Sequence, residues 1–272
     1  MEVLLTNDDG ITSEGLWALE VAFREQGHQV TLVAPDRERS ATSHSVTLFT
    51  PLLATERPQP GGGSRAYAVN GTPADCVKLA LHELLEGQRP ALVASGINRG
   101  WNLGVNIFYS GTIGGAFEGL LAGIPALAVS VPSSRSHDHL EVARMTVSLV
   151  EPLLGEELME PGIRTLYNLN FPDCPPGEIR GLHVVPHGLS AFVDSYERRV
   201  DPRQREYFWL SGEQGYAYPD GASPRELDDL QAVREGFLAL SPLRFDLNHA
   251  RELERLRGLQ LALPVPPREA AP

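Results

Sequence analysis

The pattern that most constrains the fold is an apolar segment, an amphipathic helix and a second apolar segment at the start of the chain. Residues 3–5 are apolar and stop at a polar Asn-Asp-Asp-Gly turn (residues 7–10), which predicts a buried strand and then a tight turn. Residues 14–26 carry apolar side chains at helical spacing, and residues 30–34 predict a second buried strand. Strand, helix and strand in this order indicate a βαβ unit, so we expect a parallel sheet.

The same alternation of apolar strands and helices continues along the chain. Thr72 and Pro73 are a helix-start signal, with the threonine at the N-cap and the proline in the first turn. The predicted elements that follow are a helix from there to residue 86, a strand at 91–94, a loop at 95–110, a helix at 112–121, a strand at 126–131 and a helix at 139–154. We therefore expect an α/β core over residues 1–185 with a mainly parallel sheet.

Two regions depart from this pattern. Residues 46–70 contain several prolines and three consecutive glycines, and we interpret them as an exposed excursion with a hairpin between residues 46–49 and 66–69. After residue 185 the loops become rich in Pro, Gly and Arg, and we expect residues 186–260 to be a C-terminal extension that serves oligomerisation and residues 261–272 to be a disordered tail. Further predicted elements are strands at 165–169, 182–185, 207–210 and 236–240, a helix opened by a capping box at 223–226, and a helix at 251–259.

The charge balance narrows the classes of partner. The chain of 272 residues has 23 Lys and Arg against 35 Asp and Glu, a net charge of −12, and no basic footprint for duplex DNA or for an anionic membrane surface. Its N-terminus is acidic, unlike a signal peptide, and its longest uncharged stretch is too short to span a bilayer. We expect a cytoplasmic protein that binds neither DNA nor membranes.

Oxygen-bearing side chains follow three successive predicted strands. Asp8 and Asp9 follow the first strand, Ser40 lies after the second, and Asn98 follows the third. In a parallel sheet these strand ends meet at one edge, where ligands bind. Carboxylate, hydroxyl and amide oxygens are the ligands that Mg²⁺ and Mn²⁺ prefer, so the four residues are candidate metal ligands. The alternative for the aspartate pair is an Asx-turn with a favourable charge near a helix N-terminus.

A second candidate site is the start of the predicted helix at residue 112. Ser110, Gly111 and Thr112 would place hydroxyl and backbone N–H groups at a helix N-terminus, which favours an anion. The alternative is an ordinary N-cap, with glycines for close packing. His44 is either a proton carrier or an exposed loop residue. The sequence contains no GxGxxG after its first strand, no phosphate-binding P-loop and no GxSxG elbow. These patterns indicate a metal-dependent enzyme acting on an anionic, phosphorylated small molecule.

Several sequence blocks carry a family resemblance. They are LLTNDDG at 4–10, VAPDRERSATSHS at 33–45, NGTPADCVKLAL at 70–81, SGINRGWNLG at 95–104, YSGTIGGAFEG at 109–119 and, more weakly, SPLRFDLNH at 241–249. In content and order they resemble the stationary-phase survival protein SurE family, which are metal-dependent nucleoside monophosphate phosphatases. The resemblance implies a Rossmann-like three-layer core with a protruding β-hairpin and a C-terminal segment exchanged between subunits. It also implies homodimers, in some members homotetramers.

The resemblance also implies roles for the candidate residues. Asp8 and Asp9 would be catalytic, and together with Ser40 and Asn98 would hold one Mg²⁺ or Mn²⁺ ion per subunit. Ser110, Gly111 and Thr112 would bind the phosphate. The substrates implied are nucleoside 5′- and 3′-monophosphates, with trimming of polyphosphate by some members.

The residues leave several alternatives open. Asp8 is a metal ligand and either the general base or the nucleophile. A phosphate- or nucleotide-binding regulatory module without turnover is the other functional class. Trp101, in the glycine-containing loop, either narrows the mouth of the site or stacks on a base. Asn106 stands where members of the family usually carry Asp, so no carboxylate role is expected at that position.

Overall fold

The computed structural model describes residues 1–58, 63–134, 137–155, 165–211, 215–219, 224 and 226–259. Its strands are β1 (Glu2–Thr6), β2 (Gln29–Pro35), β3 (Ala54–Glu56), β4 (Arg65–Val69), β5 (Leu92–Arg99), β6 (Ala126–Val131), β7 (Leu166–Asn170), β8 (Leu182–Val184), β9 (Ala191–Phe192), β10 (Ser195–Val200), β11 (Glu206–Ser211), β12 (Tyr216–Ala217) and β13 (Leu238–Leu243). Its α-helices are α1 (Glu14–Glu25), α2 (Pro73–Leu79), α3 (Gly111–Leu121), α4 (His139–Ser148), α5 (Val150–Leu154), α6 (Asp229–Arg234) and α7 (Ala250–Gly258).

A nine-stranded sheet forms the centre of the fold, in the order β3-β4-β2-β1-β5-β6-β7-β13-β8. Strands β4, β2, β1, β5, β6 and β7 run parallel to one another, whereas β3 pairs antiparallel with β4 and β13 pairs antiparallel with β7. The mainly parallel α/β sheet expected from the sequence is therefore confirmed. From β1 the chain builds outward through β2 on one side and through β5 on the other, which makes the β1–β5 boundary a topological switch point.

Helices cover both faces of this sheet. Alternate residues of a strand point to opposite faces, and in β1 the buried Val3 and Leu5 pack with α1 and α4 while Leu4 packs with α2. Helices α1 and α4 contact each other on the first face, and α2 and α3 on the second. Both faces of the sheet are thus buried, as expected for parallel strands that read as continuous apolar runs.

The start of α2 follows its predicted signal. Thr72 is the N-cap, its hydroxyl accepts from Asp75 N–H, and the Asp75 carboxylate accepts from Thr72 N–H, with Pro73 in the first turn. The last predicted turns of this helix, Ala80–Leu84, are π-helical. No helix among the described residues is both long enough and apolar enough to cross a membrane.

Three element predictions need correction. Residues 46–49 do not pair with any strand, and Phe49 is 98% exposed; the hairpin partner of β4 is β3. The loop predicted from residue 95 begins later because β5 continues to Arg99. The helix predicted over 139–154 divides at Leu149 into α4 and α5, where Pro152 cannot donate an N–H to Ser148.

The C-terminal region is tied to the core sheet. Strand β13 lies between β7 and β8, so the segment after residue 185 supplies a strand to the main sheet, and the division at residue 185 stays a prediction. Helix α6 begins at Asp229 with a capping box of Asp228 and Gln231, later than predicted, while Ser223 and Arg225 of the predicted box lie outside the described residues. The tail at 261–272 also lies outside them. Residues 207–210 belong to β11, which pairs with β10 as a separate two-stranded ribbon.

Candidate active site

The candidate site lies at the carboxyl ends of β1 and β5, on the two sides of the switch point. Asp8 and Asp9 follow β1 after one intervening residue, and Asn98 is the penultimate residue of β5. Parallel α/β sheets bind ligands at this position because the loops on the two sides of the switch point diverge and leave a crevice. The fold thus brings together three of the four residues that the sequence suggested as metal ligands.

Asp8 is buried against the N-terminus of α3. Its Oδ1 accepts a hydrogen bond of 2.6 Å from Thr112 Oγ1, and its carboxylate also accepts from Thr112 N–H. Burial raises the pKa of Asp8 to about 6, and the charge of Asp9 adds to this, while the Thr112 hydrogen bonds oppose it. A buried carboxylate with two fixed donors and a carboxylate neighbour is the kind of group that a cation would stabilise.

Asp9 and Asn98 meet through the end of β5. The Asp9 carboxylate accepts a hydrogen bond from the Arg99 backbone N–H, which opposes the rise in the pKa of Asp9 that burial and the charge of Glu38 produce. Asn98 Nδ2 donates to Gly100 O at 2.7 Å, which fixes its amide plane. The other amide atom, Oδ1, is an oxygen of the type that hard divalent cations bind.

Ser40 lies in the loop after β2, which is attached to Asp8 through its neighbour. Arg39 N–H donates to Asp8 O at 2.7 Å, and Thr42 reaches the space beside Gly111. The Ser40 side chain is exposed and its hydroxyl donates to Glu38 Oε1 at 2.7 Å. The structure therefore brings the Ser40 loop to the site but directs the hydroxyl proton of Ser40 to Glu38.

Residues 110–112 have the N-terminal position on α3 that the sequence predicted. Ser110 is the N-cap, and its hydroxyl accepts from Ile113 N–H at 3.1 Å. Gly111 has to be small, because a Cβ there would lie 2.9 Å from the Cβ and 3.0 Å from Oδ2 of Asp8. Both the capping role and the proximity to the aspartate pair are therefore present, and the Thr112 hydroxyl is directed at Asp8.

His44 pairs with the buried Glu118, which is not among the candidate residues suggested by the sequence. His44 Nε2 lies 2.7 Å from Glu118 Oε1, and Lys78 Nζ lies 3.4 Å from Glu118 Oε2. Burial would raise the pKa of Glu118, but the hydrogen bond from His44 and the charges of His44 and Lys78 lower it below its usual value. Glu118 is the only charged residue of α3, a signal that could have identified it. The pair fastens the Ser40 loop to α3.

Asn102 holds the segment between β5 and α3 to the neighbouring strands. Its N–H donates to Asn170 Oδ1 at 2.9 Å and its Nδ2 donates to Ser130 Oγ at 2.8 Å. Its carbonyl oxygen accepts from Asn168 Nδ2 at 2.8 Å. All four residues are buried. This network fixes the chain that leads from Asn98 toward Ser110.

Asp229 of the C-terminal region holds the same segment from the other side. Its Oδ2 accepts from Gly104 N–H at 2.8 Å and its Oδ1 from Gly188 N–H at 3.0 Å. Burial raises the pKa of Asp229, and these backbone hydrogen bonds oppose that rise. Gly104 has φ +50°, and a Cβ there would collide with Ser190. Nothing in the local sequence distinguishes Asp229, because its partner lies 125 residues away.

The donors at the switch point fit a hard divalent cation better than zinc. The aspartate pair supplies carboxylate oxygens, Asn98 an amide oxygen and the nearby Ser40 a hydroxyl. Within the described parts of the chain, no group of three or more His, Cys, Asp and Glu side chains is placed to hold a metal ion. The pairing of two neighbouring carboxylates, one of them buried, is the observation that favours a bound cation here.

Comparisons with known proteins identify the family of the chain. The sequence model of the family described as survival protein SurE matches residues 3–194. The chain is 43% identical over 260 residues to the 5′-nucleotidase SurE of Symbiobacterium thermophilum, covering 95% of this chain and 98% of that one. It is 40% identical over 259 residues to the 5′-nucleotidase SurE of Thermosynechococcus vestitus, covering 94% and 95%.

A solved structure gives the same result for the fold. The crystal structure of the SurE protein from Aquifex aeolicus matches with a TM-score of 0.78 and 35% sequence identity, over 96% of this chain and 100% of that one. The match includes the region after residue 194, which the family model leaves out. With a matching family model over most of its length and relatives at about 40% identity over nearly all of it, the chain belongs to the survival protein SurE family.

Proposed function

We propose that this protein is a divalent-metal-dependent phosphomonoesterase, a 5′-nucleotidase, that hydrolyses nucleoside 5′-monophosphates to nucleoside and phosphate. The observation that carries the proposal is the contact between Asp8 and the N-terminus of α3 at the sheet's switch point. It places a carboxylate pair beside an anion-binding helix end, which are the two parts that phosphoryl transfer requires. The family relatives named 5′-nucleotidase supply the substrate class.

One Mg²⁺ or Mn²⁺ ion per subunit would be held by Asp8, Asp9, Asn98 and Ser40. When bound, the ion would supply positive charge to a phosphoryl oxygen and a template for in-line attack. The side chains that surround it are already fixed, Asp8 by Thr112 and Asn98 by Gly100. Ser40 would offer an oxygen lone pair to the ion while its hydroxyl group continues to donate a hydrogen bond to Glu38.

The chain's own groups would do the rest of the chemistry. The backbone N–H of Gly111 and the dipole at the start of α3 would favour the equatorial oxygens of the phosphoryl group, with the Ser110 hydroxyl beside them and Thr112 joining the helix start to Asp8. Asp8 or Asp9 would accept the proton of the attacking water. In the alternative, Asp8 would attack the phosphorus itself as the bond to the nucleoside oxygen breaks, and water would then hydrolyse the acyl phosphate to phosphate and free Asp8. The proton for the leaving oxygen then comes from solvent or from the water-derived proton on the carboxylate.

Several finer parts belong to the same proposal. They are hydrolysis of 3′-monophosphates, trimming of polyphosphate, a cytoplasmic location and assembly into a homodimer or homotetramer. The β10–β11 ribbon supports assembly, because it stands apart from the main sheet and exposes Phe208 and Trp209 by 57% and 59%. Large apolar side chains exposed together on a two-stranded ribbon are typical of a surface that another chain covers.

The test is phosphate release from a panel of nucleoside 5′- and 3′-monophosphates with Mn²⁺, with Mg²⁺ and with EDTA. We expect release that requires the metal and that falls at least a thousand-fold in Asp8→Asn. That variant should keep the wild-type fold, because the amide still accepts a hydrogen bond from Thr112. Burying a charge is costly, so its unfolding temperature in metal-free buffer should be equal to or above the wild-type value.

The matched control is Glu141→Gln, which makes the same change at an exposed carboxylate of α4 and should keep full activity. Turnover by Asp8→Asn near the wild-type rate would contradict the assignment of the site. If the folded wild type binds nucleotides but releases no phosphate with either metal, the protein is a nucleotide-binding module instead.

A further inference from the structure

A cavity of about 530 Å³ opens beside the proposed metal ligands, at the same edge of the sheet. Gly100 and Trp101, which follow β5, and Pro132 and Ser133, which follow β6, are among the residues that line it. Sites for small ligands have volumes of about 300–1,000 Å³. The cavity is therefore large enough for a nucleoside, and it lies where the fold binds its ligands.

The wall of the cavity is joined to the proposed metal ligands by the end of β5. Asn98 Nδ2 donates to Gly100 O at 2.7 Å, and Asp9 accepts from the Arg99 N–H. Gly100 N–H in turn donates to Val131 O at 2.8 Å. Only one residue separates the proposed ligand Asn98 from the cavity wall, so a molecule whose phosphate sits at Asp9 and Asn98 has this cavity within reach.

Aromatic side chains line the cavity in fixed orientations. Trp101 Nε1 donates to Phe171 O at 2.6 Å, and Tyr216 Oη donates to Trp101 O at 2.5 Å. Phe192 meets Tyr216 edge to face, with ring centroids 5.5 Å apart and an angle of 88°. Rings held in this way lose little conformational entropy when a planar ligand stacks on them.

Polar groups surround the aromatic wall. Ser134 Oγ donates to Asp173 Oδ2 at 2.7 Å, and Arg234, which donates to Tyr216 O at 2.7 Å, also borders the cavity. A nucleobase presents a flat apolar face together with hydrogen-bond donors and acceptors on its edges. Aromatic rings with a serine, a carboxylate and a guanidinium around them match both features.

A second cavity, of about 440 Å³, has Ser110 in its wall and is the competing location. The Ser40 loop is fastened along one side of it, because Ser43 N–H donates to Tyr109 O at 3.0 Å and Ser43 Oγ to Phe108 O at 2.6 Å. Its walls include Phe117, Leu243 and Phe245. It serves as the internal control for the first cavity.

We propose that the cavity between Trp101, Phe192 and Tyr216 is the subsite for the nucleobase and ribose of the substrate, and that Phe192 is a specificity-determining residue. This rests on the proposed function, since it assigns the leaving group of the same reaction. Trp101 lies in the segment between β5 and α3, whereas Phe192 and Tyr216 lie in the C-terminal region. The C-terminal region therefore supplies substrate contacts as well as a strand of the sheet.

The experiment compares adenosine 5′-monophosphate with ribose 5-phosphate, which has the same ester and no base, at saturating Mn²⁺. In Phe192→Leu we expect the ratio of the two kcat/KM values to fall about five-fold or more through a higher KM for the nucleotide. Phe192→Tyr keeps an aromatic face and should restore the ratio. Phe245→Leu makes the same substitution in the second cavity and should keep the wild-type ratio.

An unchanged ratio in Phe192→Leu, or a fall in Phe245→Leu instead, would overturn the assignment. If the wild type releases phosphate from neither substrate, the proposed function fails separately from the subsite. In that case, binding of adenosine in the cavity is measured by the quenching of tryptophan fluorescence. This quenching should be lost in Trp101→Phe. Equal quenching in the wild type and in that variant would rule the cavity out.

Discussion

At the scale of single residues, the close approach of Asp8 to α3 determines which side chain fits at the first position of that helix. Thr112 donates to Asp8 with both its hydroxyl and its backbone N–H, so the carboxylate is held against the first turn of the helix. That approach leaves no space for a side chain at Gly111, whose missing Cβ would meet both Asp8 and Thr42. The φ angle of Gly111 lies outside the left-handed region, so its backbone conformation does not require glycine. The position requires glycine because a larger residue would contact Asp8 and Thr42.

Gly111→Ala should lower phosphate release about ten-fold or more, because Asp8 or Thr42 of the Ser40 loop has to move away from the new methyl group. Stability should fall by only about 1–2 kcal/mol, within the range for overpacking. Steady-state kinetics and urea unfolding measure the two effects. Gly177→Ala is the matched control, since a Cβ there meets nothing within 4 Å. Equal activity of the two variants would contradict the steric argument.

Glu118 makes a pH-dependent contribution to stability. Its pKa in the folded protein lies below the usual 4.5, so the stabilisation is fully present above about pH 4.5 and is lost as the pH falls through the folded value. We expect Glu118→Gln to lower the free energy of unfolding by about 1–2 kcal/mol at pH 7, because charge-assisted hydrogen bonds to His44 and Lys78 weaken.

The difference between Glu118→Gln and the wild type should shrink when urea unfolding is repeated near pH 4. Glu83→Gln, at an exposed position, is the control and should match the wild type at both pH values. A deficit of Glu118→Gln that is the same at pH 7 and pH 4 would show that the charge of Glu118 plays no part.

At the scale of elements, the segment from β5 to α3 carries the site and depends on distant parts of the chain. Asn98 stands at its start and Ser110 at its end, and between them it is fastened by Asn170 of β7 and by Asp229 of α6. A segment of irregular backbone keeps one shape only when its buried N–H and carbonyl groups have partners. The C-terminal region therefore positions residues of the core site.

Asp229→Ala should lower the free energy of unfolding by about 3 kcal/mol, because it leaves the N–H groups of Gly104 and Gly188 buried without an acceptor, at about 1–3 kcal/mol each. Phosphate release should fall as well, since the segment that ends at Ser110 loses its anchor. Asp229→Asn retains one acceptor oxygen and should lie between the wild type and Asp229→Ala in urea unfolding. Stability of Asp229→Ala equal to the wild-type value would contradict the anchoring role.

At the scale of the whole molecule, the β10–β11 ribbon is the feature that the single chain does not explain. It is not part of the main sheet, and it exposes the large side chains of Tyr196, Phe208 and Trp209. Two-stranded ribbons are at best marginally stable alone in water. A second copy of the chain is the partner that the proposed assembly provides.

Replacing Phe208 and Trp209 together by lysine should reduce the assembly, since charges on the ribbon oppose burial of that surface. Light scattering with size-exclusion chromatography should give a multiple of the 29.7 kDa subunit mass for the wild type and a smaller mass for the double variant. The control is a double variant with lysines at the exposed Glu83 and Glu141. An unchanged mass would place the subunit contact elsewhere.

The sequence by itself determined the elements whose signals are local. Periodic apolar residues predicted β1, α1 and β2, and Thr72 with Pro73 predicted the start of α2, because a strand or a helix cap depends on neighbours only a few residues away. The position of Asp8 and Asp9 after β1 followed from the same patterns. The blocks around them were specific enough to indicate the family.

The tertiary structure alone decided the contacts that join distant segments. The length of β5 beyond residue 94 depends on its pairing with β6, and the exposed residues 46–49 have no sheet neighbour, so local propensity did not settle either one. The hydrogen bond between Asp229 and Gly104 spans 125 residues and leaves no periodic trace in the sequence. Periodicity reports which face of an element is buried, whereas the partner across a long separation is chosen by how the packed elements fit together.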